Sequence, residues 1–181
     1  MHPDIYFNEH KKLFDLLNTK DIIDAIALIN RVYVSGKKII TCGNGGSAHT
    51  ASHYITDWNK MISIRKKRKF IGFSLCDNVG LISAFANDLS FDEIYSGQLK
   101  AIMSKGDLVI AISGSGNSPN VVKAIEFANA NGAETLCIVG YDGGELIKIS
   151  KHKFHVPSFD MQLCEDIHLM FGHIVMKSLC S

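Results

Sequence analysis

Two kinds of hydrophobic pattern alternate along this chain. Over residues 4–18 and 21–35 apolar side chains recur at helical spacing. In the second stretch Ile22, Ile26, Ile29 and Tyr33 fall on one face. Asp21 is placed to cap that helix and Gly36 to end it. The pattern then becomes an unbroken apolar run, Lys38-Ile39-Ile40-Thr41-Cys42, which predicts a buried strand. This strand enters Gly43-Asn44-Gly45-Gly46-Ser47, and a helix is expected from about 48 to 60. The same alternation continues. A strand is expected over Phe70–Leu75, helices over about 78–86 and 91–104, and a strand over Asp107–Ile112. Pro119 suits the first position of a helix that runs to about 131. Glu134–Val139 reads as a strand, Gly140–Gly144 as a turn, Phe154–Val156 as a short strand and about 162–179 as the last helix.

Strands alternating with helices, each strand apolar throughout, predict an α/β fold with a parallel sheet covered on both faces. Ligands of such sheets bind beyond the carboxyl ends of the strands, where both glycine- and serine-rich loops fall. No linker or repeat divides the chain, so residues 1–181 are expected to form a single domain. The two leading helices (residues 1–36) belong to no strand–helix–strand unit. Their apolar faces are expected to pack against a partner subunit.

Composition narrows the class. Of 181 residues 46% are hydrophobic and 20% charged, which suits a globular chain. A formal net charge of +1 argues against a nucleic-acid binder that works by bulk electrostatics. The basic run from Lys60 to Lys69 reads as a solvated loop. Five cysteines without a C-x-x-C pair give neither a disulfide frame nor a zinc ribbon, and Cys42 and Cys137 fall in strand-like runs as core thiols. A reducing cytoplasm fits that usage. No apolar run is long enough for a signal peptide or a membrane span.

The loops carry the chemistry. Gly43-Asn44-Gly45-Gly46-Ser47 joins a strand to a helix, where close backbone approach and free N–H groups favour phosphate. It is neither G-x-G-x-x-G nor a Walker loop, so a nucleotide is weakly supported. Ser113, Ser115 and Ser118, spaced by Gly114 and Gly116, offer three hydroxyls just before a helix. Hydroxyls and helix N–H groups can wrap a phosphate without a lysine. Helix capping by Ser118 alone would explain one serine and not three.

These segments, with Ala86-Asn87-Asp88 and Gly140-Tyr141-Asp142-Gly143-Gly144, stand in an order and spacing that resemble the sugar isomerase (SIS) domain of the phosphoheptose isomerase family. The resemblance implies a flavodoxin-like three-layer sandwich and a homotetramer with shared active sites. It also implies conversion of sedoheptulose 7-phosphate to D-glycero-D-manno-heptose 7-phosphate for surface glycan synthesis, often with one zinc ion per subunit. By position, Asn44, Gly45, Gly46 and Ser47 would meet the substrate. Ser113, Gly114, Ser115 and Ser118 would hold its phosphate, and Asn87 and Asp88 would bind sugar hydroxyls. Family members often have threonine where this chain has Gly114.

His53 and Asp57 are i, i+4 on the helix after the first loop, a spacing that suits a divalent metal. The resemblance adds Glu165 and His173 as ligands, and makes Asp57, Glu165 and His173 the acid–base candidates. Asp57 stands where a glutamate is usual, Glu165 where a glutamine is usual, and Met61 near a usual arginine. Glu165 and His173 are eight residues apart, about 12 Å along an ideal helix. One ion reaches both only if Glu165 sits at a loosened helix start; spacing alone would pair Glu165 with His168. His168 otherwise reads as a structural or interface histidine. Two other readings are an isomerase for a different sugar phosphate, and a non-catalytic phosphosugar-binding regulator of the replication-initiator-associating kind. The surviving histidines and carboxylates argue for an enzyme. No nucleic-acid or membrane partner is expected.

Overall fold

A computed structural model describes residues 1–181, and all its strands lie in one parallel sheet of order β2-β1-β3-β4-β5. Helices α1 (Pro3–Leu16) and α2 (Thr19–Val34) come first. Strand β1 (Ile39–Gly43) leads into α3 (Gly46–Asp57), which continues through a π-turn (Trp58–Ile62) into α4 (Ser63–Lys66). Then come β2 (Gly72–Ser74), α5 (Val79–Asp88), a 3₁₀ turn (Phe91–Glu93) and α6 (Ser96–Ile102). Strand β3 (Leu108–Ser113), α7 (Pro119–Ala130), β4 (Glu134–Val139), α8 (Leu146–Ile149), β5 (His152–His155) and α9 (Met161–Cys180) complete the chain.

Successive strand residues point to opposite faces. Ile39, Leu108, Ile110, Ile112, Leu136 and Ile138 meet α2, α3 and α9 on one face. Ile40, Cys42, Val109, Ala111 and Cys137 meet α6 and α7 on the other. The result is the expected three-layer sandwich, with both thiols in the core.

Local chemistry shifts several boundaries. Asn18, not Asp21, caps α2: its Oδ1 accepts from the Lys20 amide at 3.0 Å, and its Nδ2 donates to Asp21. Strand β2 is only three residues long, and Asn59 covers its outer edge, donating to Gly72 O and accepting from Gly72 N. The helix expected over 91–104 is broken near its start, where the Ser96 hydroxyl donates to the Glu93 carboxylate at 2.6 Å. The last strand begins earlier than expected, since Thr135 Oγ1 holds the Lys151 amide at 3.0 Å. The basic run is helical as far as Lys66, not a loop. Buried Trp58 and Ile62 anchor that turn while its cations stay exposed.

The leading helices differ from each other. α2 buries Ala25, Leu28, Ile29, Val32 and Tyr33 within its own chain, so it does not need a partner for this face. α1 buries only Leu13 and is tied to α9 by Asp166, which accepts from Tyr6 Oη at 2.6 Å and pairs with His10 at 3.1 Å. It leaves Ile5, Phe7, Phe14 and Leu16 exposed. Helix α5 is apolar yet buries no residue.

His168 lies in the core at 1% exposure, and neither ring nitrogen has a hydrogen-bond partner. Burial pushes its pKa down from 6.5 to about 4. The unfolded chain therefore binds the extra proton first. This contribution to stability is complete above pH 6.5 and is lost as pH falls from 6.5 toward 4, by about 3 kcal/mol in all. His168→Leu should flatten that part of the stability–pH curve, measured by urea unfolding at pH 7 and pH 4.5.

Candidate active site

β1 and β3 are hydrogen-bonded neighbours, so their carboxyl ends bring loops 44–47 and 113–118 to one rim. Between them lies a cavity of about 160 Å³ lined by Asn44, Ser47, Ser113, Gly114, Ser115 and Ser118, with Met161 and Glu165 from α9 closing it. This is small beside the ~300–1,000 Å³ of typical drug-sized ligand sites. It suits a phosphate better than a nucleotide. Ser113 Oγ accepts from the Gly116 amide at 3.1 Å and Ser115 Oγ from the Asn117 amide at 3.3 Å. A hydroxyl used as acceptor keeps its own hydrogen for an anion. Ser118 occupies the N-cap of α7 but makes no capping bond with its side chain. Capping therefore does not explain it. The start of α3 adds the unpaired N–H groups and partial positive charge of a helix N-terminus. Met161 packs on Gly114 where a larger side chain would stand: a Cβ there would be 2.3 Å from its sulfur.

A second cluster lies further along α3. His53 Nε2 and His173 Nε2 are 3.0 Å apart, and Asp57 Oδ2 is 3.4 Å from the first and 3.8 Å from the second. The three side chains are 45%, 44% and 28% exposed, open to a small ligand. They form a group able to hold a metal ion.

Glu165 is not in that group. α9 is already regular at Met161, so the loosened start that would let Glu165 join His173 is absent, and two helical turns separate them. The Glu165 carboxylate instead lies over the first turn of α3, where a Cβ on Gly46 would be 2.6 Å from its Oε1. It therefore belongs to the anion cavity. Asn87 and Asp88 end α5, exposed and bonded to each other at 2.8 Å, and do not line the cavity of their own chain. α5 follows the edge strand and packs on the Phe91–Glu93 turn.

Three residues outside the motifs shape the site. Asn120 and Tyr95 bond to Asn44. Gly172 lets α9 approach α3: a Cβ there would lie 2.3 Å from the Tyr54 ring. Trp58 Nε1 donates to Gly172 O at 3.0 Å, and Tyr54 Oη donates to His168 O. Gly172→Ala should overpack this contact, costing about 1–3 kcal/mol and moving His173 from His53. Thermal unfolding and metal content of the purified variant check both effects.

The SIS domain family model matches residues 5–140. A phosphoheptose isomerase of Fusobacterium nucleatum is 36% identical over 148 residues, 82% of this chain and 75% of that protein. One from Aquifex aeolicus is 31% identical over 169 residues, 93% of this chain and 88% of that protein. The solved structure of phosphoheptose isomerase GmhA from Neisseria gonorrhoeae matches with a TM-score of 0.90 at 25% identity, covering 97% of this chain and 95% of that one.

Proposed function

We propose, from the premise that this chain belongs to the SIS-domain family of phosphoheptose isomerases, that it interconverts sedoheptulose 7-phosphate and D-glycero-D-manno-heptose 7-phosphate for surface glycan synthesis in the cytoplasm. One observation carries the reading. Helix α3 begins at Gly46, lends Ser47 to the anion cavity and carries His53 and Asp57 further along. His53 is about 10 Å along the helix from Gly46, a separation comparable with an extended seven-carbon phosphate.

In this reading Ser113, Ser115 and Ser118, with the amides at Gly45, Gly46 and Ser47, bind the phosphate. Aldose–ketose exchange moves one proton between C1 and C2 and another between their oxygens. With the phosphate at the loops, C1 and C2 fall at the far end of the chain beside the histidine cluster, so Asp57 takes the carbon-bound proton, with the oxygen it does not lend to a metal, and returns it, while Glu165 stays at the phosphate end. His173 is the candidate for the hydroxyl proton, a role that competes with metal ligation for the same ring nitrogen.

Zinc fits the chemistry of the cluster. The separations of 3.0, 3.4 and 3.8 Å bracket the ~3.4 Å edge of a tetrahedral zinc shell, and three protein ligands leave the open position typical of catalytic sites. His53, Asp57 and His173 would hold one ion per subunit. Such an ion supplies Lewis-acid polarisation of a substrate oxygen.

The sugar hydroxyls fall to Asn87 and Asp88 of a neighbouring copy in a homotetramer. Helix α5, with no buried residue, and the exposed apolar side of α1 support such packing. Two larger grooves, about 510 and 540 Å³, border these same helices. No helix is long and apolar enough to cross a membrane.

The test is to incubate the protein with sedoheptulose 7-phosphate, with and without zinc, and follow loss of the ketose. Zinc-dependent turnover supports the proposal. Binding without turnover would make the chain a regulatory phosphosugar module, and turnover of another phosphosugar alone would change the substrate.

A further inference from the structure

We infer that Asn120 is a positioning residue that locks the two anion loops together through Asn44; this rests on the anion-binding reading above. Asn120 is the second residue of α7 and is 1% exposed. Its side-chain amide and that of Asn44 exchange two hydrogen bonds: Asn44 Nδ2 donates to Asn120 Oδ1 at 2.9 Å, and Asn120 Nδ2 donates to Asn44 Oδ1 at 2.9 Å. Asn120 Oδ1 also accepts from the Val121 amide at 3.0 Å, which fixes the amide plane against the first turn of its own helix.

The pair joins residues 76 positions apart in the chain. One stands in the loop after β1, and the other directly follows the serine loop after β3. With both its acceptor and one donor hydrogen engaged, Asn44 keeps only one N–H free. The amide orientation that Asn44 offers the cavity is therefore set by Asn120.

Tyr95 is a weaker guide. Its single hydroxyl hydrogen is directed to Gly43 O, with Asn44 Oδ1 a more distant 3.3 Å away. Cys76 Sγ points to the same Gly43 carbonyl at 3.4 Å. Tyr95 and Cys76 thus fix the backbone at Gly43, while the side chain of Asn44 depends on Asn120. A buried amide placed only for packing would not need this reciprocal geometry. An apolar residue of equal volume fills such a place without the risk of an unpaired group.

The test is a double-mutant cycle of Asn44→Ala, Asn120→Ala and the pair, read by calorimetric binding of inorganic phosphate and by amide hydrogen exchange over 44–48 and 113–118. Asn120→Ala should weaken phosphate binding about tenfold and speed exchange in both loops. In the Asn44→Ala background it should add less than a twofold loss, because its route is already gone. A merely structural role would lower the melting temperature and leave the affinity of the folded protein unchanged. If Asn120→Ala does not fold, Asn120→Leu keeps the volume, removes the amide and should give the same losses. Wild-type affinity and exchange in a folded variant, or fully multiplicative losses in the cycle, overturn the inference. Wild-type protein that binds no phosphate would sink the proposed function instead. Exchange in the two loops then decides the role of Asn120: faster in the variant supports it, unchanged refutes it.

Discussion

Isomerase turnover in His173→Ala and Asp57→Ala proteins is expected to fall by ~10²–10⁴-fold with little change in melting temperature. Both side chains are part-exposed, and their polar contacts are mainly to each other and to His53. Surface contacts of this kind stabilise a fold by about 1 kcal/mol or less. Function is more exposed to the change. Either substitution leaves only two groups of the three that can share one ion, and His173→Ala also removes the candidate for the hydroxyl proton. Steady-state kinetics, zinc content after dialysis and thermal unfolding separate these effects. Wild-type rates in both variants would remove the cluster from the mechanism.

The second large effect concerns Glu165. Glu165→Gln keeps the volume and removes a negative charge from the cavity that takes the phosphate, so KM should fall about tenfold with kcat nearly unchanged. The two carboxylates serve different ends of the site: Asp57 faces two imidazoles, and Glu165 faces Gly46 across the anion cavity. An unchanged KM in this variant would take Glu165 away from the bound phosphate.

The sheet and its order of elements were legible because a covered parallel strand must be apolar on both faces. Leu108–Ser113 and Glu134–Val139 both form strands where unbroken apolar runs predict them. The pattern was weaker where side chains, not periodicity, set the ends. Asn59 pairing with the edge of β2 and Asn18 capping α2 are single contacts that no period shows. The apolar face of α2 was visible, but its destination in the same chain was not, because hydrophobicity carries no address. At the site, i, i+4 spacing joined His53 to Asp57, and the resemblance added His173, which the fold brings to them. The same spacing arithmetic raised the difficulty with Glu165, and α9 is regular from Met161 onward, with the Glu165 carboxylate at Gly46. Asn120, Tyr95 and Gly172 were not found at all. Their importance lies in contacts with distant residues, and only Asn120 had a local sign: a polar residue continuing the serine loop into a buried helix face.

The most direct measurement is a structure of the protein with sedoheptulose 7-phosphate bound. Phosphorus should lie among the hydroxyls and amides of residues 113–118 and 45–47, with the C1–C2 end reaching along α3 toward Asp57 and His173. Phosphate held at any other place on the molecule, with that rim still filled by solvent, would contradict it.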